Sequence, residues 1–241
     1  MEQSIEALRD LVANSNNIVF FGGAGVSTES GIPDFRSDNG LYNQKYEHPP
    51  EVMLSFSFFK SNTKDFYNFY KTKMLNTSVK PNQAHIALAK LESDGKLKAV
   101  ITQNIDGLHQ MAGSKNVLEL HGSVYSNHCM KCKKSYDIDF IINADIPICE
   151  CGGTIKPDVV LYEEALNQNI LIQAVKYISQ ADMLIVGGTS LSVYPAAQLI
   201  TYYEGNSLVL INKSETPYDE RADLIIRNSI GSVLGEITKG I

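Results

Sequence analysis

The stretch that most constrains this chain is Ile18-Val19-Phe20-Phe21 running straight into Gly22-Gly23-Ala24-Gly25-Val26-Ser27-Thr28. A short β-type run without a polar residue suits a strand buried on both faces. Its break into glycines and hydroxyls suits a tight strand-to-helix turn. Glycines let the backbone come close to an anion, and the helix after such a turn offers N–H groups and its positive dipole end to a pyrophosphate. The pattern is G-x-G-x-x-T, which taken alone also describes an ordinary strand-to-helix turn.

Strand-like apolar runs recur at residues 99–102, 117–120, 158–161, 183–186, 208–211 and 224–226, with helical patterns at 82–93, 168–179, 195–203 and 232–238. Residues 1–13 read as a charged amphipathic helix with Ile5, Leu8, Leu11 and Val12 on one face. The alternation predicts an α/β fold, a Rossmann-type parallel sheet with helices on both faces. Two segments interrupt it. Residues 37–80 are rich in aromatics and compatible with helix, and residues 126–155 hold the cysteines and read as short turns and strands. The expected plan is a single domain over 1–241, with its Rossmann core at 1–36, 81–125 and 156–241 and the two modules forming a small domain.

The net charge of −6, with no lysine or arginine cluster to offset it, argues against nucleic acid as a partner. No apolar run approaches the ~20 residues of a membrane span, and the N-terminus lacks the shape of a signal peptide. A soluble, cytoplasmic monomer is expected. All four cysteines fall in two close pairs, Cys129-Met130-Lys131-Cys132 and Cys149-Glu150-Cys151, sixteen residues apart. Such pairs read as a tetrahedral zinc site with four thiolate ligands, full and therefore structural. Disulfides lack an oxidising context, and a redox reading of the C-x-x-C lacks a thioredoxin-like setting.

Three more segments complete the pattern: Gly31-Ile32-Pro33-Asp34-Phe35-Arg36-Ser37, then Thr102-Gln103-Asn104-Ile105-Asp106-Gly107-Leu108-His109, then His121-Gly122. In this order, after the glycine turn, they resemble the sirtuins, the NAD-dependent protein-lysine deacylases, over almost the whole chain. The resemblance implies a Rossmann core with a helical and a zinc module inserted, NAD as co-substrate, one structural zinc ion, and acetyl-lysine proteins or peptides as substrates. It places NAD on Gly22, Ala24, Gly25 and Thr28, and on a mobile loop bearing Asp34, Phe35 and Arg36. Gln103, Asn104, Ile105 and Asp106 would hold the nicotinamide end. Gly188, Thr189 and Ser190 would form a second ribose–phosphate contact, Asn212 an adenosine-ribose contact and Ile230 the adenine end. His121 matches the base that takes a ribose hydroxyl proton, with Asn104 and Asp106 beside it as catalytic residues. Val159, Val160 and Tyr162 would pair with the substrate peptide, with Val193 and Tyr194 flanking it. Deacetylated lysine, O-acetyl-ADP-ribose and nicotinamide, itself an inhibitor, would be the products.

Each motif also has a plainer reading. Residues 33–36 can be a solvated turn with one aromatic anchor, and Asn104 with Asp106 an Asx-turn capping the next helix. The peptide-binding stretches can be ordinary strand and loop. His48 and His85 read as surface or core histidines, His128 as a spare zinc ligand, and His109 as a loop brace. Two rival functions stay open: an ADP-ribosyltransferase or NAD glycohydrolase on the same scaffold, and a non-catalytic NAD-sensing module. Three positions depart from the resemblance. Gly22 stands for a threonine. Tyr162-Glu163-Glu164 stands for Phe-Gly-Glu, where Glu163 loses glycine's freedom. Tyr70 stands for the arginine that desuccinylase-like members place three residues after a tyrosine, here Tyr67. Neutral acyl groups, acetyl first, follow from that last departure.

Overall fold

The computed structural model describes residues 2–37 and 40–239. Among these residues nine strands run in chain order: β1 (Ile18–Gly22), β2 (Leu97–Thr102), β3 (Val117–Glu119), β4 (Gly122–Cys129), β5 (Ser135–Tyr136), β6 (Ile155–Val159), β7 (Met183–Gly187), β8 (Leu208–Ile211) and β9 (Leu224–Ile226). The α-helices are α1 (Glu2–Asn14), α2 (Pro50–Met53), α3 (Phe56–Ser61), α4 (Thr63–Lys73), α5 (Gln83–Ser93), α6 (Leu108–Met111), α7 (Ile138–Asn143), α8 (Gln168–Gln180) and α9 (Ile230–Ile237).

Six strands form a wholly parallel sheet in the order β3-β2-β1-β7-β8-β9. The chain winds outward from β1 in one direction, returns, and winds outward in the other. That places the topological switch point between β1 and β7, where doubly wound sheets open a crevice at the carboxyl ends of their strands. β1 shows why its sequence lacks polar residues. Ile18 and Phe20 enter the core under α1, α5 and α9, while Val19 and Phe21 enter the core under α8. Helix starts are written locally. Asn82 accepts the Ala84 N–H while its own N–H donates to His85 Nδ1, and Asn167 accepts from Asn169 and Ile170 at the start of α8.

β4, β5 and β6 form a separate antiparallel sheet in the order β5-β4-β6. The strand expected over 158–161 as part of the parallel sheet is therefore β6, displaced toward the N-terminus and paired with β4. Residues 156–159 and 122–125, expected in the Rossmann core, lie in the small sheet. Apolar content predicted a strand there, but a short apolar run carries no record of its partner. The small sheet and helices α3 and α4 share one core. Phe59, Phe66, Tyr67 and Tyr70 pack with Val124, Ile141, Ile155, Val159 and the cysteines Cys129 and Cys149.

Two helical expectations change. The glycine turn leads into two short 3-10 turns, Ala24–Val26 and Thr28–Ser30, so no α-helix aims its dipole at the crevice from there. The segment after Pro195 is a 3-10 helix over Ala196–Tyr202. No helix among the described residues is long and apolar enough to cross a membrane.

Candidate active site

Gly22 and Gly187 are register partners at the carboxyl ends of β1 and β7. Beyond them the two loops are joined by backbone hydrogen bonds: Gly23 N–H donates to Gly187 O at 3.3 Å, and Gly25 N–H to Gly188 O at 2.8 Å. Thr28 hydroxyl donates to Gly25 O at 3.0 Å and closes the turn. The loop after β2 joins this pair. Gln103 N–H donates to Gly22 O at 3.0 Å, and its side-chain amide donates to the Thr189 hydroxyl at 3.2 Å. Gly22, Gly25, Thr28, Gln103, Gly188 and Thr189 thus form one continuous floor at the switch point, with Ala24 within its first turn. Ser190 stands at its rim and pairs with the Ser192 hydroxyl at 2.7 Å.

Above that floor runs a polar chain. Asn104, 8 % exposed, donates its side-chain N–H to Ser27 Oγ at 3.0 Å, and Ser27 donates to Asp106 Oδ2 at 2.6 Å. With its amide nitrogen so engaged, Asn104 keeps its side-chain oxygen as an acceptor. Asp106 Oδ1 accepts the Leu108 N–H at 3.0 Å. The capping interpretation of Asp106 therefore holds as far as α6 is concerned, but Asn104 takes no part in the cap. Ser27, 1 % exposed, was not singled out by the motif, although a hydroxyl after a glycine turn was its visible signal. Gly107 in the same loop has φ +68, and a Cβ there would meet the Tyr125 ring at 2.7 Å.

His121 stands two residues past the end of β3, after Leu120, and its Nδ1 lies 2.9 Å from Gln103 O. A carbonyl can only accept, so Nδ1 carries the proton and Nε2 carries the free lone pair. Burial pushes the His121 pKa below its ordinary value, partly opposed by that hydrogen bond. The ring is accordingly a neutral base near pH 7. Gly122 lets the chain leave the large sheet here. Its φ is +75, and a Cβ would lie 1.8 Å from Asp158 O.

The other expected site residues are placed less uniformly. Asp34 Oδ1 accepts from Arg36 N at 3.1 Å and Ser37 N at 2.8 Å, and Phe35 and Arg36 both lie against Tyr42. Ile105 O accepts from Val124 N at 3.1 Å and so joins the loop to β4. Asn212, just past β8, donates its side-chain N–H to Ser214 O at 2.9 Å. Ile230, 3 % exposed, belongs to the core under α1, α5 and α9 and packs its Cδ1 against Gly187. Val159 is buried and Tyr194 is 68 % exposed on the far loop with Val193. The N–H groups of Val160, Leu161 and Tyr162 already donate to His121 O, Glu164 Oε2 and Leu54 O. A peptide strand therefore finds no donor at these three residues, a limit that apolar spacing cannot reveal.

The remaining histidines separate by setting. His128 pairs with Asp158 and with Ser135 at its two ring nitrogens, so it is no spare metal ligand. His85 and His109 are fully buried with ring centroids 4.7 Å apart, and burial lowers them to about 4 and about 3. Tyr67 gives its hydroxyl to Ile155 O, Tyr70 is buried in the same aromatic cluster, and Lys71 lies over the Tyr67 ring and donates to the Ala144 and Asp145 carbonyls.

The four cysteine sulfurs lie within 4.8 Å of one another, with Cys129–Cys151 and Cys132–Cys149 each at 3.5 Å. Tetrahedral zinc with Zn–S near 2.3 Å separates its sulfurs by about 3.8 Å, so the donor set fits one zinc ion. Lys131 and Cys132 N–H groups point at Cys129 Sγ, and Tyr136 hydroxyl donates to Cys149 Sγ at 3.0 Å, outer contacts that orient thiolates.

A Rossmann-type sheet, a neutral histidine at its carboxyl edge and a four-cysteine cluster in a small second sheet together define a nucleotide-binding enzyme with a structural metal module. Residues 23–195 match the Sir2 family, and the chain belongs to that family. It is 63% identical over 237 residues to an NAD-dependent protein deacetylase of Clostridium tetani, covering 96% of each chain. It is 63% identical over 235 residues to one of Clostridium acetobutylicum, covering 95% of this chain and 96% of that one. A Sir2 structure holding a deacetylated p53 peptide and 3′-O-acetyl ADP ribose superposes with a TM-score of 0.90 at 40% identity, covering 98% of this chain and 97% of that one.

Proposed function

We propose that this protein removes acetyl groups from protein lysines at the expense of NAD, giving deacetylated lysine, nicotinamide and O-acetyl-ADP-ribose. The observation that carries the reading is His121, neutral by burial and fixed by Gln103 O with Nε2 as the free base, beside the Asn104–Ser27–Asp106 chain. NAD supplies the electrophilic ribose carbon that takes up the acetyl oxygen as nicotinamide leaves. The rest is the work of side chains. His121 Nε2 receives the proton of the ribose hydroxyl that attacks the transferred acyl carbon. The bond from that carbon to the lysine nitrogen then breaks as the amine takes a proton, and a water completes the acetyl ester on the ribose. Asn104 and Asp106 orient the nicotinamide end, Ala24, Gly25, Thr28 and Thr189 the phosphates, and Phe35 with Arg36 exclude water. The absence of an arginine at Tyr70 supports neutral acyl groups.

The enzyme works as a cytoplasmic monomer. Cysteines gathered for a metal rather than paired support a reducing compartment. The test is mass spectrometry of the protein with an acetyl-lysine peptide, with and without NAD. Acetyl loss only with NAD, matched by O-acetyl-ADP-ribose and slowed about a hundred-fold or more in His121→Ala, is the expected result. NAD cleavage with the peptide untouched would move the assignment to ADP-ribosyl transfer, and no change in either would leave an NAD-binding module.

A further inference from the structure

Tyr162 sits in a segment whose backbone is fixed on both sides. Its N–H donates to Leu54 O at 3.0 Å and its carbonyl accepts from Phe56 N at 3.0 Å, a parallel bridge to the turn between α2 and α3. Glu163 follows with φ +77, a left-handed conformation that strains any residue with a Cβ. Its carboxylate is what holds it there, accepting Ser57 N–H at 2.9 Å and Ser57 hydroxyl at 2.8 Å in the first turn of α3. With the backbone set, the Tyr162 ring has a fixed origin, and its hydroxyl meets the hydroxyl of Tyr42.

Tyr42 is in turn the post against which residues 34–36 lean. The Phe35 ring meets it edge-on at 5.6 Å, and the Arg36 guanidinium lies 5.3 Å from its centroid. Leu41 N–H donates to Asp34 O and Tyr42 N–H to Phe35 O, both at 2.9 Å. Burial, with Tyr162 alongside, holds the Tyr42 phenol above its ordinary range, so it keeps its proton. A phenylalanine at position 162, as in the resemblance that the sequence suggests, would keep the ring wall and lose this contact.

We propose that the Tyr42–Tyr162 hydroxyl pair is a latch between the segment that covers NAD and the wall that faces the acyl-lysine, so that each substrate steadies the site of the other. The proposal rests on the deacetylase reading of those two segments. Tyr162 thereby acts as a positioning residue for NAD although it stands on the peptide side.

Kinetics of Tyr42→Phe, Tyr162→Phe and the double variant test it, each ring being kept and only the hydroxyl removed. Loss of one neutral hydrogen bond predicts a rise of about three- to ten-fold in KM for NAD in either single variant, larger than the change in kcat. The double variant should be no worse than the singles, since both remove one contact. Additive losses, or an effect confined to the peptide KM, would overturn the latch. Phe35→Ala separates the two levels: an unchanged NAD KM there would defeat the cofactor-segment reading itself. Hydrogen exchange gives an independent measure. Acetyl-lysine peptide without NAD should protect fragments covering residues 41–46 in the parent protein and fail to do so in Tyr162→Phe; equal protection in both would also overturn it.

Discussion

His121 and Gln103 are 18 residues apart in the chain, and the ring of one is held at 2.9 Å by the backbone of the other. The carbonyl decides which nitrogen of the ring is the base. Because the contact uses backbone rather than a side chain, a Gln103 substitution leaves it in place, whereas anything that shifts the loop after β2 turns the base.

The pH profile follows. Burial lowers the His121 pKa from 6.5, so the base form is complete at neutral pH and is lost only as pH falls through a value below 6.5. The acid limb of kcat/KM should therefore lie below that value, and His121→Ala should cost about a hundred-fold or more. Steady-state deacetylation against pH reads both.

Ser27→Ala removes the hydroxyl that connects Asn104 to Asp106 and leaves Asp106 with its Leu108 contact. Activity is expected to drop by about ten-fold or more while stability changes by only about 1–2 kcal/mol. Thermal melts together with single-turnover NAD cleavage separate the two effects. A Ser27→Ala enzyme with full activity would sink the connected-chain account.

His85 and His109 link stability to pH. Their folded values, about 4 and about 3, lie below the ordinary 6.5, so the unfolded chain binds protons first. Stability is complete above 6.5 and declines as pH falls below it, by roughly 2 kcal/mol per ring near pH 5. Urea midpoints at neutral and mildly acid pH should show the decline, and His109→Leu should reduce its slope.

Zinc removal should be felt well outside the cysteines. Cys129 and Cys149 are buried in the same cluster as Phe59, Phe66, Tyr67 and Tyr70. Chelation, or Cys149→Ser, is expected to release one zinc per chain and to abolish the near-ultraviolet dichroism of those rings. An unchanged aromatic signal would show that the metal serves only its own loop.

Much of this was legible in the sequence. Period and composition located all six strands of the parallel sheet, because a strand buried on both faces must be apolar throughout, as in β1 and β7. The four cysteines declared their cluster by spacing alone. What stayed hidden were relations rather than residues. Nothing in the spacing says that β6 pairs with β4, that Ile230 packs against Gly187, or that Ser27 joins Asn104 to Asp106. Glu163 could be recognised as an odd occupant of a glycine position, but its capping of α3 required knowing that the helix stands next to it.

The core shared by α3, α4 and the small sheet joins stretches of chain that enter the fold at separate points, with β2 and β3 between them. Neither stretch can cover its own apolar face. A fragment cut at residues 126–155 would carry every metal ligand and still lack the aromatic lid that shields them. The two inserts behave as halves of one object: transplanting either into another doubly wound scaffold requires bringing its mate, and during synthesis the first must wait uncovered until the second has left the ribosome.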